Sequence, residues 1–257
     1  MRTQDMVMRF RDKVAFITGG AVGFGRAFAK ALAAEGAAIV IADIDGQSGC
    51  ASAQALEADG HAAIAVECDV ADEQRVEAAV AAAVDRFGGI DVLINNAGLH
   101  LLAYNQPFGA LERQKLRELF DVNVIGIVNC TMACRRSMAA RGGGVVLNIA
   151  SMAGHMCITP YSVSKLAVRG LTIALATELA PDSIRVNAIS PGLMATESAM
   201  EHLPQTMIDH IINNSQLIHR QGEMRDIVSA MLFLCSGESS FITGETIKVS
   251  GGYPLYL

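Results

Sequence analysis

Short, almost wholly apolar runs alternate with longer amphipathic stretches along nearly the whole chain, and few folds satisfy that pattern. The runs are Val14 to Thr18, Ala38 to Asp43, Ala63 to Cys68, Val92 to Asn95, Val145 to Ala150, Ile184 to Ile189 and Thr246 to Val249. Strands this apolar need cover on both faces, which an antiparallel sheet with one wet face does not give. Helical periodicity fills the gaps: Gly25 to Glu35, Gln47 to Ala58, Asp72 to Phe87, Leu111 to Ala140 with a break, Pro160 to Leu179, and Arg225 to Leu234. Stop signals agree, with Gly36 after Glu35, Gly88-Gly89 after Phe87 and Pro181 after Ala180. The expectation is one α/β domain over 1–257: a doubly wound, parallel seven-stranded sheet with helices on both faces and right-handed crossovers.

Composition narrows what such a domain meets. Half of the 257 residues are hydrophobic and 18% are charged, which suits a large core and buried subunit faces. A net charge of -6 and the lack of any Lys/Arg block argue against nucleic acid or an anionic membrane as partner. Met1 to Arg11 has no apolar core like a signal peptide's, and Ile227 to Cys235 is too short to span a bilayer, so a cytoplasmic protein is expected. The six cysteines (50, 68, 130, 134, 157 and 235) form no C-x-x-C pair. They read as buried free thiols, and no metal site is expected.

Doubly wound sheets bind ligands beyond the carboxyl ends of their strands. After the first run comes Thr18-Gly19-Gly20-Ala21-Val22-Gly23-Phe24-Gly25, opening a helix. Glycines let the backbone turn tightly against a pyrophosphate, whose charge is met by the N–H groups of the helix start. The spacing Gly-x-x-x-Gly-x-Gly makes this a variant of the dinucleotide cradle, in a Rossmann-like domain. Asp43 ends the second run, where a carboxylate can accept from ribose hydroxyls; Asp45 competes for the role. No Lys or Arg between Asp43 and Leu56 awaits a 2′-phosphate, so NAD is expected over NADP. Arg26 reads either as a phosphate contact or as a surface residue.

Tyr161 and Lys165 stand four apart in Pro160-Tyr161-Ser162-Val163-Ser164-Lys165, with Ser151 upstream. Residues so spaced are neighbours on a helix, and an ammonium beside a phenol favours phenolate. Thr159 suits the N-cap and Pro160 the first helical position. Asp69-Val70 and Asn95-Asn96-Ala97-Gly98 follow the third and fourth runs at the binding edge; Asp69 could equally be a turn residue.

These marks together resemble the short-chain dehydrogenase/reductase family, in its compact single-domain branch. The likeness runs through Thr18-Gly19-x-x-x-Gly23-x-Gly25, Asp69-Val70, Asn95-Asn96-Ala97-Gly98, Val122-Asn123-Val124, Ser151, Tyr161-x-x-x-Lys165, Asn187 and Pro191-Gly192, covering nearly the whole chain in order. The resemblance implies a catalytic tetrad of Asn123, Ser151, Tyr161 and Lys165. Tyr161 would exchange the proton, Lys165 would lower its pKa and hold the nicotinamide ribose, Ser151 would orient the substrate oxygen, and Asn123 would hold a water. Cofactor contacts would come from Gly19, Gly23, Phe24, Gly25, Asp43, Asp69, Val70, Asn95, Ala97, Gly98, Tyr161, Lys165, Pro191, Gly192, Met194 and Thr196. An NAD-dependent oxidoreductase of secondary alcohols and ketones is implied. An NADP-dependent carbonyl reductase and a non-catalytic dinucleotide sensor are the alternatives.

Three departures bear on the substrate. Only nine residues separate Ser151 from Tyr161; the stretch Leu99 to Phe108 is long; and Ser250-Gly251-Gly252 stands where Asp-Gly-Gly is expected. The long stretch could fill space left by the short connection. Ser151, Ala153, His155 and Met194 are candidate substrate contacts, with His100 and His155 open to either acid-base or wall roles. Residues 193–222, with Met194, Met200, Met207, Ile208, Ile211 and Ile212, read as a lid or as packing on the body. Without an Arg/Lys cluster there, an apolar cyclic or aliphatic substrate is expected. Family likeness implies a homotetramer through Asp121 to Ala140 and Pro160 to Leu179.

Overall fold

The apolar runs become β1 (Val14–Thr18), β2 (Ala38–Asp43), β3 (Ala63–Glu67), β4 (Val92–Asn95), β5 (Gly144–Ile149), β6 (Ile184–Pro191) and β7 (Thr246–Val249) in a computed structural model that describes residues 8–99, 101–195 and 204–255. Among the described residues they form one parallel sheet in the order β3-β2-β1-β4-β5-β6-β7. The boundaries expected for β1, β2, β4 and β7 hold; β3 ends one residue early, β5 shifts back by one, and β6 runs on to Pro191. The chain winds outward from β1 to β3, then returns across β1 to β4. The order therefore reverses between β1 and β4, opening a crevice beyond their carboxyl ends.

Strand alternation splits the core into two layers. Phe16, Val40, Leu93 and Val146 face one side with Ile127, Cys130 and Val168, whereas Ile17, Ile39, Ile94 and Leu147 face the other with Phe28, Leu32 and Met231. The covering helices are α1 (Gly23–Ala34), α2 (Gly46–Ala58), α3 (Glu73–Phe87), α4 (Leu101–Tyr104), α5 (Arg113–Phe120), α6 (Gly126–Ala140), α7 (Pro160–Leu179), α8 (Gln205–His210) and α9 (Met224–Cys235). The break expected within 111–140 is a π-helical segment, Asp121–Ile125, joining α5 to α6.

At the amino ends of the strands, Asp91 is 4% exposed and closely matched. Its carboxylate accepts from Lys13 Nζ at 3.1 Å, Arg141 at 2.9 Å and the Val14 amide at 2.9 Å. Burial pushes its pKa up, but these three donors outweigh that and leave it below the ordinary carboxylate value. The thiols depart from expectation: Cys68, Cys130, Cys134 and Cys235 are buried, but Cys50 and Cys157 are exposed. Cys50 falls on the outer face of α2, and Cys157 sits in the short connection before α7 with φ 57. Among the described residues no helix is long and apolar enough to cross a membrane.

Candidate active site

The turn after β1 needs glycine at Gly19 and Gly23 for its backbone and at Gly25 for space. Gly19 and Gly23 have φ 60 and φ 55, and a Cβ on Gly25 would lie 2.1 Å from Gly19 O. Val22, the N-cap of α1, makes no side-chain cap hydrogen bond, whereas α2, α3 and α7 are capped by Asp45, Asp72 and Thr159. The first-turn amides of α1 thus have no capping side chain, the arrangement that accepts a phosphate. Phe24 is half-buried and stacks on Phe28 with ring centroids 6.1 Å apart, while Arg26 is exposed.

The two candidate aspartates separate cleanly. Asp45 accepts from the Ser48 amide at 3.0 Å as the α2 cap. Asp43 instead accepts from Ala21 N at 2.9 Å and Asp45 N at 3.1 Å, so its carboxylate is fixed against the glycine turn. Asp69 is half-buried, with one oxygen accepting from Ala71 N at 3.0 Å in a turn, and the Val70 carbonyl accepts from Asn129 Nδ2 at 2.9 Å.

Of the two asparagines after β4, the structure turns them opposite ways. Asn95 is buried and donates to Thr131 Oγ1 and Asn148 Oδ1, so its side chain braces the core and does not line the crevice. Asn96, not singled out from sequence, donates to Thr18 O at 3.0 Å and Gly19 O at 2.8 Å. Thr18 Oγ1 in turn accepts from the amides of Asn96 and Ala97. Strand alternation could have flagged this, because adjacent residues at a strand end must point to opposite sides.

Asn123 lies in the π segment and is 1% exposed. Its Oδ1 accepts from Leu99 N at 2.7 Å and its Nδ2 donates to Ser164 Oγ at 3.2 Å. A Cβ on Gly98 would lie 3.2 Å from Asn123 Oδ1 and 3.4 Å from Lys165 Nζ, so the β4 loop passes directly over both groups. Ser151 caps a short 3-10 turn, Met152–His155, accepting from Ala153 N at 3.2 Å. The four side chains expected to act together converge beyond the ends of β4 and β5.

Their electrostatics differ from the sequence expectation. Lys165, 6% exposed, donates to Ile149 O at 2.9 Å, and burial lowers its pKa to about 8. Burial raises the Tyr161 phenol above its ordinary value, with Ser151 pulling the other way. The lowering expected from Lys165 is absent because the ammonium turns to a carbonyl and desolvation dominates. His155 is half-buried, and its Nε2 lies 3.1 Å from the buried Ser190 Oγ. Burial, then Arg169 and Lys248, push its pKa down to about 4.

On the far side, Gly192 and Ser250 touch so closely that a Cβ on Gly192 would lie 2.6 Å from Ser250 Cα. Met194 bridges to Gly222 and is buried with the α9 layer. Behind it a cavity of about 280 Å³ is lined by Leu193, Met194, Gln216, Lys248 and Ser250; the four converging side chains do not border it. Ala153 is buried. Thr196, Met200 and His100 lie outside the described residues. Two apolar clusters flank the site: Leu99, Tyr104, Leu116 and Phe120 with Tyr161, and Leu193, Ile208, Ile211 and Ile212 with Met152.

Comparisons with known proteins agree with this layout. A family model described as enoyl-(acyl carrier protein) reductase matches residues 19–254. An uncharacterized oxidoreductase of Mycobacterium tuberculosis is 40% identical over 95% of this chain and 98% of its own length. A sorbitol dehydrogenase of Cereibacter sphaeroides is 36% identical, covering 95% of this chain and 98% of the relative. Among solved structures, a 7α-hydroxysteroid dehydrogenase complexed with NADH and 7-oxo glycochenodeoxycholic acid superposes with TM-score 0.88 at 31% identity, covering 98% of each chain.

Proposed function

The chain belongs to the short-chain dehydrogenase/reductase family, and from that premise we propose an NAD-dependent enzyme interconverting a secondary alcohol and a ketone by hydride transfer. The observation that carries the reading is a pair of juxtapositions: Asn123 and Lys165 lie together under Gly98, and Tyr161, one turn before Lys165 on α7, is hydrogen-bonded to Ser151. The bound nicotinamide supplies the hydride or accepts it. Gly19, Gly23, Gly25 and the uncapped start of α1 suit its pyrophosphate, and Asp43, fixed by Ala21 N, suits a ribose diol and repels a 2′-phosphate. Asp69 and Val70 would meet the adenine, with Ala97, Gly98, Pro191 and Gly192 along the way to the nicotinamide.

Tyr161 exchanges the proton with the substrate oxygen and Ser151 orients that oxygen. A phenol is protonated at neutral pH, the state needed to donate to a ketone, and burial shifts Tyr161 further that way; alcohol oxidation draws on the alkaline side. Lys165 and Asn123 sit behind Tyr161 as the route by which charge and proton are passed on. The flanking apolar clusters favour an apolar cyclic or aliphatic substrate, with residues 193–222 as its lid. The proposal extends to a cytoplasmic homotetramer, for which the exposed Ile125 near α6 and Leu166 and Ile173 on α7 offer apolar faces.

A panel of alcohols and ketones, assayed with NAD(H) and NADP(H) by nicotinamide absorbance, tests this. Turnover that falls ~10²–10⁴-fold in Tyr161→Phe is expected from loss of a positioned acid-base group. Asp43→Ala should erode the preference for NAD. Cofactor binding with no turnover on any substrate would favour a sensor instead, and equal efficiency with NADP would remove the role given to Asp43.

A further inference from the structure

The first turn of α7 carries Tyr161, and its geometry is set by a reciprocal cap. Thr159 Oγ1 accepts from Ser162 N at 3.4 Å, while Ser162 Oγ accepts from Thr159 N at 2.7 Å. Thr159 O also accepts from Val163 N at 3.0 Å. The single Thr159 hydroxyl proton has two acceptors in reach, Asn105 Oδ1 at 2.9 Å and the more distant Ser162 Oγ at 3.3 Å, and the shorter contact is the one to Asn105. Thr159 is 9% exposed, so that proton has little access to water.

Asn105 comes from the long stretch after Gly98, a different part of the chain, 54 residues away. Its neighbour Tyr104 is buried in the cluster that packs on Tyr161. The stretch is therefore tied to the reactive turn in two ways, through the apolar cluster shared by Tyr104 and Tyr161 and through the hydrogen bond to Asn105. The short connection from Ser151 to Tyr161 contributes only the 3-10 turn and four residues before α7. The wall on the other side of Tyr161 is left to the Asn105 stretch.

We propose that Asn105 is a positioning residue: by accepting from Thr159 it locks the turn that aims Tyr161, coupling the 101–110 wall to the proton-transfer group. This rests on the dehydrogenase reading for its kinetic half only. Without the lock, Thr159 keeps only its longer contacts with Ser162, at 3.3 and 3.4 Å through Oγ1, and the first turn of α7 frays more readily. Tyr161 then spends time outside the geometry that proton transfer needs.

The test compares full-length wild type, Asn105→Ala and Asn105→Asp, the last keeping an acceptor oxygen. On a ketone substrate, Asn105→Ala should lower kcat about fivefold with the KM for cofactor unchanged, the scale of one neutral hydrogen bond. Amide hydrogen exchange at Ser162 and Val163, followed without substrate, should quicken by about the same factor. Asn105→Asp should restore most of both. The proposal is overturned if Asn105→Ala leaves exchange at Ser162 and Val163 unchanged, or if Asp and Ala behave alike. Should the wild type turn over nothing, the functional reading fails while the exchange contrast still decides the lock.

Discussion

Both ends of the sheet bury an ionisable side chain, and they treat it in opposite ways. At the amino end Asp91 meets two cations and an amide. At the carboxyl end Lys165 is as buried but, among the described residues, meets a single carbonyl and pairs with no carboxylate. The first arrangement closes its electrostatics and holds β1 and the chain leading into β4 together. The second leaves a charge in low dielectric, ready to change with what binds above it. A buried charge left open at the end where strands of this topology bind ligands is a sign of work to be done there.

The largest effect should come from Lys165→Met. Turnover should drop ~10²–10⁴-fold, the range for losing a proton-handling group, with no loss of stability to denaturant at neutral pH, because the substitution removes a charge that burial penalises. A large stability loss with little kinetic change would invert the comparison. Asp91→Asn should do the reverse. Lys13 and Arg141 are each partly exposed and can turn to water, so the loss should be about 2 kcal/mol, below that of a fully buried pair. Its kcat should match wild type.

The subtlest expectation is in how stability follows pH. Lys165 titrates near 8 in the folded protein against an ordinary 10.5, so between these values the unfolded chain holds a proton that the folded one has shed. Stability contributed by this group therefore rises with pH across that window, by an amount on the order of 1–3 kcal/mol, and Lys165→Met should flatten the rise. Asp91 is depressed below 3.8, so its contribution is present above that value and lost as pH falls through its folded pKa. Denaturant melts from acid to alkaline pH would sharpen the comparison, and coincident profiles for wild type and Lys165→Met would break it.

The sheet was legible because four of its strands are bounded by the same residues that bound the apolar runs. The glycine turn was legible for a related reason: a missing Cβ is a property of the letter itself. What the sequence hid was direction. Asn95 and Asn96 are the same residue type side by side, and only the pleat sends one to Asn148 and the other to Gly19 O. Asp43 was preferred over Asp45 on position alone, and what the sequence did not show was that Asp45 caps α2. Spacing placed Tyr161 beside Lys165 but carried no information on dielectric, so the sign of the phenol's shift came out reversed. The bond from Thr159 to Asn105 joins two loops that no local pattern connects.

The π segment Asp121–Ile125 has one more consequence. An i→i+5 loop adds one residue to a helical turn, and each residue advances an α-helix by about 100°. The rod from Arg113 to Ala140 is thereby put out of phase with itself. Leu116, Leu119 and Phe120 look toward Tyr161, while Ile127, Cys130, Cys134 and Met138 look into the sheet. One surplus residue thus lets a nearly continuous helix serve two masters, with Asn123 at the step between the stripes. Deleting a single position there would bring the stripes into register and set one of the two faces against the wrong neighbour.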